Sequence, residues 1–273
     1  MKKNTLSLSE SFYSVQCEGH TTGYPAYFIR LKGCNLSCGL STKHMREILK
    51  AGAGHTESGS LEGDLVGSGT ATWTCDTAPI WLFGSPTTFD TLTQKWKQDG
   101  ILDWIKTGRI HLIWSGGEPT IPKHQESIIN FLDWFHADDK HTQTFNEIET
   151  NGTFYIKDEL FNWLNQINCS AKLANSGMTE EQRINPDAIK RIMSHSNYWF
   201  KFVISNEDDI NEIKRDYIFP FNIPWNRVLM MPGLDSREHF HERTEFVLQM
   251  AKKHGFIGLT RLHVSAWDKT TGV

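Results

Sequence analysis

From residue 110 onward the chain alternates short apolar runs with segments of helical periodicity. That pattern restricts the fold to a largely parallel sheet with helical crossovers. Ile110-His111-Leu112-Ile113-Trp114 reads as a buried strand, followed by a helix over Ser127 to His136 and a strand from Phe145 to Ile148. Helices near Asp158 to Leu164, Asp187 to Met193, Glu207 to Arg215 and Glu242 to His254 then alternate with further strand segments. Those segments are Cys169 to Leu173, Trp199 to Ile204 and Val228 to Met231, and Leu259 to His263 closes the series. Upstream, Leu6 to Val15 and Ala26 to Leu31 read as two strands, and Phe89 to Thr107 as a helix interrupted near Asp99-Gly100. An α/β barrel and a doubly wound sheet both satisfy this order, and in both the polar residues at C-terminal strand ends face the ligand.

The alternation is broken once. Between Gly39 and Thr72 the composition shifts: Ser41 to Lys50 has helical spacing with Ser41 or Thr42 as cap, and Ala51 to Ala71 is largely Gly, Ser, Thr and Ala. The latter stretch buries too little apolar surface to offset its ordering entropy and is expected to be a mobile loop. With no repeat and no interdomain linker, the chain reads as a single domain over 1–273 carrying one insertion at about 39–73.

The insertion separates three cysteines, Cys34 and Cys38 in Gly33-Cys34-Asn35-Leu36-Ser37-Cys38 and Cys75 in Trp73-Thr74-Cys75-Asp76-Thr77. Three soft thiolates suit an iron–sulfur cluster with one iron left open, or zinc, and a missing ligand is where something else binds. The cysteines alone equally allow buried, unrelated thiols. Five cysteines make no paired disulfide framework, and Cys17 and Cys169 are left over.

A formal net charge of −4 and a pI of about 6.3 give no global positive field, so nucleic acid is not an expected partner and a small ligand is. No apolar run approaches a membrane span, and Met1-Lys2-Lys3 is not followed by a signal-type apolar stretch. A cytoplasmic location is expected.

Directly after the strand at 110–114 stands Ser115-Gly116-Gly117-Glu118-Pro119-Thr120. Two glycines allow close backbone approach, Pro119 fixes the turn, and Glu118 can accept from an amine. A Cys-x3-Cys element completed by a third Cys, then Gly-Gly-Glu-Pro after a strand, resembles the radical S-adenosylmethionine (SAM) superfamily. The flanks narrow the resemblance. Phe12-Tyr13-Ser14-Val15-Gln16-Cys17-Glu18-Gly19, Phe28-Ile29-Arg30-Leu31-Lys32-Gly33-Cys34-Asn35-Leu36 and Cys75-Asp76-Thr77 look like the 7-carboxy-7-deazaguanine synthase family. Glu149-Thr150-Asn151-Gly152-Thr153, Lys172-Leu173-Ala174-Asn175-Ser176-Gly177 and Phe200-Lys201-Phe202-Val203 agree.

The resemblance implies an incomplete, TIM-like barrel with a [4Fe-4S] cluster, SAM and Mg²⁺. It implies conversion of 6-carboxy-5,6,7,8-tetrahydropterin to 7-carboxy-7-deazaguanine with loss of ammonia, electrons from a flavodoxin or ferredoxin, and a homodimer. Position by position, Cys34, Cys38 and Cys75 would hold the cluster and Thr77 would offer its hydroxyl to Mg²⁺. Gly117, Glu118, Ser170 and Lys172 would contact SAM, while Cys17, Glu18, Arg30, Glu149 and His263 would lie on the pterin side. Three features depart from the family pattern: Cys17 stands where Gly is usual, the insertion separates Cys38 from Cys75, and the aromatic Trp73 lies one residue further from Cys75 than usual. Two other readings share the cysteines, an activase that installs a glycyl radical on a partner protein and a zinc-stabilised module without catalysis.

Overall fold

Residue alternation sorts the strands into two faces of unlike chemistry. The computed structural model describes residues 4–52, 70–137, 141–233, 237–268, 270 and 272–273. Its nine-stranded sheet comprises β1 (Thr5–Val15), β2 (Pro25–Leu31), β3 (Ser85–Thr88), β4 (His111–Gly116), β5 (Phe145–Thr150), β6 (Gln166–Cys169), β7 (Tyr198–Ile204), β8 (Val228–Pro232) and β9 (Ile257–Gly258). The spatial order is β3-β1-β2-β4-β5-β6-β7-β8-β9. β1 runs antiparallel to both neighbours, and every pairing from β2 to β9 is parallel.

One face carries Tyr27, Ile29, Leu31, Leu112, Trp114, Ile148, Phe200, Phe202 and Met230, all in a single apolar core with helix residues such as Trp96, Phe131, Leu160, Ile189 and Val247. The crossover helices, among them Phe89–Gln98, Pro122–Ala137, Pro186–Met193 and Phe240–His254, supply that covering layer. The residues between them in register, His111, Glu147, Gln166, Asn168 and Lys201, project to the other face and are also buried. A polar face buried without a helical layer must be covered by loops, and the β1–β2 connection does this. Thr21 donates to Glu147 at 2.8 and 2.9 Å, His20 stacks on Trp199 at 3.8 Å, and Gln16 donates to Glu149 at 3.2 Å.

The expected alternation is present, with displacements that have local causes. The helix at 89–107 divides into Phe89–Gln98 and Leu102–Lys106 because Gly100 takes φ +70°. The strand expected at Cys169 to Leu173 ends at Cys169, leaving Ser170 to Leu173 as the loop at its C-terminal end. Leu259 to His263 is no strand: β9 lies just before it, and Leu262–Trp267 is helical. The short β3, with Pro86 at the sheet edge, carries too little pattern to read in advance. The helix Thr42–Ala51 forms as the spacing predicts, capped by Ser41, whose hydroxyl accepts from the His44 amide. Most of the stretch from Ala51 to Ala71 expected as a mobile loop lies outside the described residues. Among the described residues, no helix is long and apolar enough to cross a membrane.

Candidate functional site

The sequence-separated cysteines meet at the C-terminal edge of the sheet. β2 ends at Leu31 and passes at once into the loop carrying Cys34 and Cys38. Gly39, at φ +72°, lets the returning chain lie against it, since a Cβ there would fall 2.1 Å from the Trp73 carbonyl oxygen. The Cys75 amide then donates to the Cys38 carbonyl at 3.0 Å. Cys34 and Cys75 both pack against Leu36, Cys38 and Met178.

The returning segment is held by bonds to the loop after β6. The Thr72 amide donates to the Asn175 carbonyl, Thr70 Oγ1 to the Ala174 carbonyl and Trp73 Nε1 to Asn175 Oδ1, at 2.9, 2.6 and 2.9 Å. Lys172 Nζ lies 5.8 Å from the Trp73 ring centroid, so the displaced aromatic still packs beside the cysteine loop. Replacing residues 53–69 by a short Gly-Ser linker should therefore leave iron binding at the level of the full chain. Loop closure changes by only about 0.6 kcal/mol for each halving of length. Iron and sulfide analysis after anaerobic reconstitution measures this, and loss of iron would show that the excised residues help build the site.

Three thiols are a donor set that an iron–sulfur cluster with one open iron takes, as zinc also does. Among the described residues, no three Cys, His, Asp or Glu side chains are placed to hold one metal ion. A mononuclear zinc site needs its ligands converged on one tetrahedron, whereas a cubane bonds each thiolate to a different iron. Burial pushes the Cys34 thiol up to about 12, with the nearby Glu118 charge adding to it, and raises Cys38 to about 11 against the pull of Lys172. Both are protonated thiols until metal displaces the proton.

The Gly-Gly-Glu-Pro turn packs directly onto this loop. A Cβ at Gly117 would stand 1.9 Å from the Gly33 carbonyl oxygen and 2.8 Å from the Cys34 amide nitrogen. The Glu118 amide donates to Gly33 at 2.9 Å. The Glu118 carboxylate turns inward, fully buried, and accepts from the Thr120 amide and hydroxyl, the Thr150 hydroxyl and the Asn151 amide at 2.5 to 2.9 Å. Burial raises its pKa despite these donors. Three of these donors meet Oε1 and one meets Oε2, so the carboxylate is turned to its own loop neighbours and what the motif presents toward the cysteines is backbone. Asn151 continues the tie, donating to Asn35 at 2.9 Å, 3.9 Å from Cys34 Sγ. Thr77 begins the helix Ala78–Trp81 without capping it through its side chain; its hydroxyl lies 3.4 Å from Cys75 Sγ. Ser170 accepts from Lys172 Nζ at 2.8 Å, beside Trp73.

The residues expected from sequence on the pterin side lie along the polar face. Glu18 pairs with Lys201 at 2.5 Å and Arg261 Nε at 2.8 Å, with His263 Nδ1 at 4.0 Å. Burial opposes its charge, but the two cations hold its carboxyl well below the usual range. Burial lowers the His263 pKa against the pull of Glu18. Glu149 accepts from Ser115 at 2.6 Å and from Gln16. Arg30 pairs with Glu10 at 2.5 Å and lies over Phe12. Cys17 is buried and donates to the Val15 carbonyl at 3.3 Å, its thiol raised to about 11 by burial and by Glu18 and Glu149. Its charged neighbours, Glu18, Glu149 and Arg261, are those of the polar face. Cys169 lies in the apolar core on the opposite face.

Sequence reading missed Lys201, Arg261 and Asp76 as members of this constellation. Lys201 was legible as a lone cation inside the apolar run Trp199 to Ile204. Asp76 stood in the Cys75-Asp76-Thr77 motif without being read as a site residue, and Arg261 gave no comparable signal.

No protein-family model matches the chain. It is 27% identical to the 7-carboxy-7-deazaguanine synthase of Pyrobaculum aerophilum, over 96% of this chain and 95% of that one. It is 24% identical to the enzyme of the same name from Halobacterium salinarum, over 96% and 91%. The crystal structure of QueE from Escherichia coli matches the fold with a TM-score of 0.56 at 16% identity, covering 95% of both chains. Over nearly its whole length this chain is a homologue of proteins named 7-carboxy-7-deazaguanine synthase.

Proposed function

We propose that this protein is a radical SAM lyase that converts 6-carboxy-5,6,7,8-tetrahydropterin to 7-carboxy-7-deazaguanine with loss of ammonia. The observation that carries the reading is the junction of three thiols at the sheet edge with a loop-covered polar face bearing Glu18, Arg30, Glu149 and Lys201. The long crossover helices lie against the apolar face, and the segment after β9 reaches the segment after β1 through a Leu262 amide to Cys17 carbonyl bond of 3.2 Å. These features support a sheet curled as an incomplete barrel around that interior.

Cys34, Cys38 and Cys75 hold the [4Fe-4S] cluster, and Gly117, the Glu118 backbone, Ser170 and Lys172 seat SAM beside it. When bound, the pair supplies one electron and the means of abstracting hydrogen from the substrate. The chain's own residues bind and orient the pterin. Glu18 and Glu149 meet the donor edge of its aminopyrimidinone, and Arg30 takes its carboxylate in a planar fork. His263, neutral at pH 7 by its lowered pKa, offers a hydrogen bond on the substrate side. Thr77 lends one oxygen to Mg²⁺, a hard cation that needs few protein ligands. A flavodoxin or ferredoxin as reductant, a homodimer and a cytoplasmic location complete the reading.

Anaerobic reconstitution followed by addition of the carboxytetrahydropterin, SAM and reductant should yield the deazaguanine. SAM cleavage without that product would point to different chemistry within the superfamily, such as the activase. Colourless, zinc-loaded protein, lacking a band near ~400 nm, would favour the non-catalytic module, since thiolate–iron clusters absorb there and zinc thiolates do not.

A further inference from the structure

The loop that carries Cys75 and the loop that carries Glu18 belong to opposite parts of the proposed site, yet one side chain joins them. Arg261, after β9, directs Nε to Glu18 Oε1 at 2.8 Å and one terminal nitrogen to Asp76 Oδ2. Asp76 follows the third cysteine directly and precedes Thr77. Glu18 is held on its other oxygen by Lys201, from β7. The adjoining Leu262 amide clamps the Cys17 carbonyl. A planar, permanently charged guanidinium can serve two carboxylates at once, which an ammonium on a flexible stem does poorly.

We propose that Arg261 is a positioning residue that couples the cluster loop to the substrate loop, through an Asp76–Arg261–Glu18 bridge. The position of Asp76, and with it Cys75 and Thr77, is thereby linked to the position of Glu18. The ligand at the Glu18 end, a 6-carboxylated pterin, rests on the function proposed above; the bridge itself does not.

Two measurements on the metal-free protein test this, using Asp76→Asn, Arg261→Gln and Arg261→Lys. The first is hydrogen exchange. Asp76→Asn, which removes charge only at the cluster end, should speed exchange of the amides from Cys17 to Gly19 by about tenfold, within the range of coupling in a shared ion-pair network. Arg261→Gln should loosen both loops, and Arg261→Lys should resemble it. Uniformly faster exchange across β4 and β7 as well would mean general destabilisation and would overturn the proposal, as would unchanged exchange at Cys17 to Gly19 in Asp76→Asn. The second is the affinity for pterin-6-carboxylate, by fluorescence titration of folded protein. Weaker binding in Asp76→Asn supports coupling, whereas wild-type affinity in that variant contradicts it. If the wild-type protein binds no pterin while the exchange result holds, the substrate assignment fails and the bridge stands.

Discussion

Lys201→Met should lower the stability of the folded protein by about 3–5 kcal/mol, the cost of leaving a buried charge without its partner. It should also abolish measurable binding of the carboxytetrahydropterin. Lys201 is buried on β7, and its ammonium contacts Glu18 at 2.5 Å, while Glu149 also lies within reach of its charge. Methionine fills a similar volume but supplies no counter-charge. Arg261 would remain on one oxygen of Glu18, too little to keep the carboxyl in its present range. Glu18 has a folded-state pKa depressed below its unfolded value of about 4.3, so its ionisation stabilises the fold fully above that value. The contribution is lost as the pH falls through the folded-state pKa. In Lys201→Met that contribution is lost, so the variant's deficit relative to the wild-type protein should shrink as the pH falls and Glu18 is protonated, which urea titrations from pH 7 downward should show. Adding Glu18→Gln to Lys201→Met should recover much of the stability without restoring pterin binding. A double variant as unstable as Lys201→Met alone would mean that Lys201 stabilises by packing rather than by charge.

Gly117→Ala should abolish cluster assembly. The new methyl would stand 1.9 Å from the Gly33 carbonyl oxygen and 2.3 Å from its carbon, and both are backbone atoms of the cysteine loop that cannot rotate away. Either the Gly-Gly-Glu-Pro turn or the Gly33-Cys34 step must shift by more than an ångström. The turn is fixed by the buried Glu118 carboxylate and its donors, so the cysteine loop yields first. Overpacking of this kind costs on the order of 1–3 kcal/mol, occasionally more, which a protein of this size can survive while losing metal. The expected result is a folded protein with native-like circular dichroism and little bound iron after reconstitution. Iron at the wild-type level would refute the claim that glycine is needed there for close loop packing.

The sequence made the alternation of strands and helices legible because the apolar periods are strong, and it placed the three thiols on one site through motif order. The fate of Glu118 was not legible: the same carboxylate can accept from a ligand or from Thr120, Thr150 and Asn151, and only the turn of the chain decides. Trp73 illustrates the reverse case. One residue out of the usual position, it still reaches the cysteine loop, because Asn175 and Lys172 fix its ring from across the site. Asp76 stands in the Cys75-Asp76-Thr77 motif, but nothing in that motif or around Arg261 points from one to the other across the chain, so their pairing is a property of the folded sheet alone.

The β1–β2 loop draws its partners from β5, β7 and the segment after β9, which spaces its contacts across most of the chain. Contacts of such long sequence separation form late, since loop closure precedes any reward. During synthesis the N-terminal strands and the cysteine turn leave the ribosome well before Lys201 and Arg261 exist as partners for Glu18. Until then Glu18 has no cation to pair with and stays in water. The pocket's readiness thus reports that the sheet has been completed to its last strand, and a prematurely released chain would hold its cysteines without the means to receive a substrate.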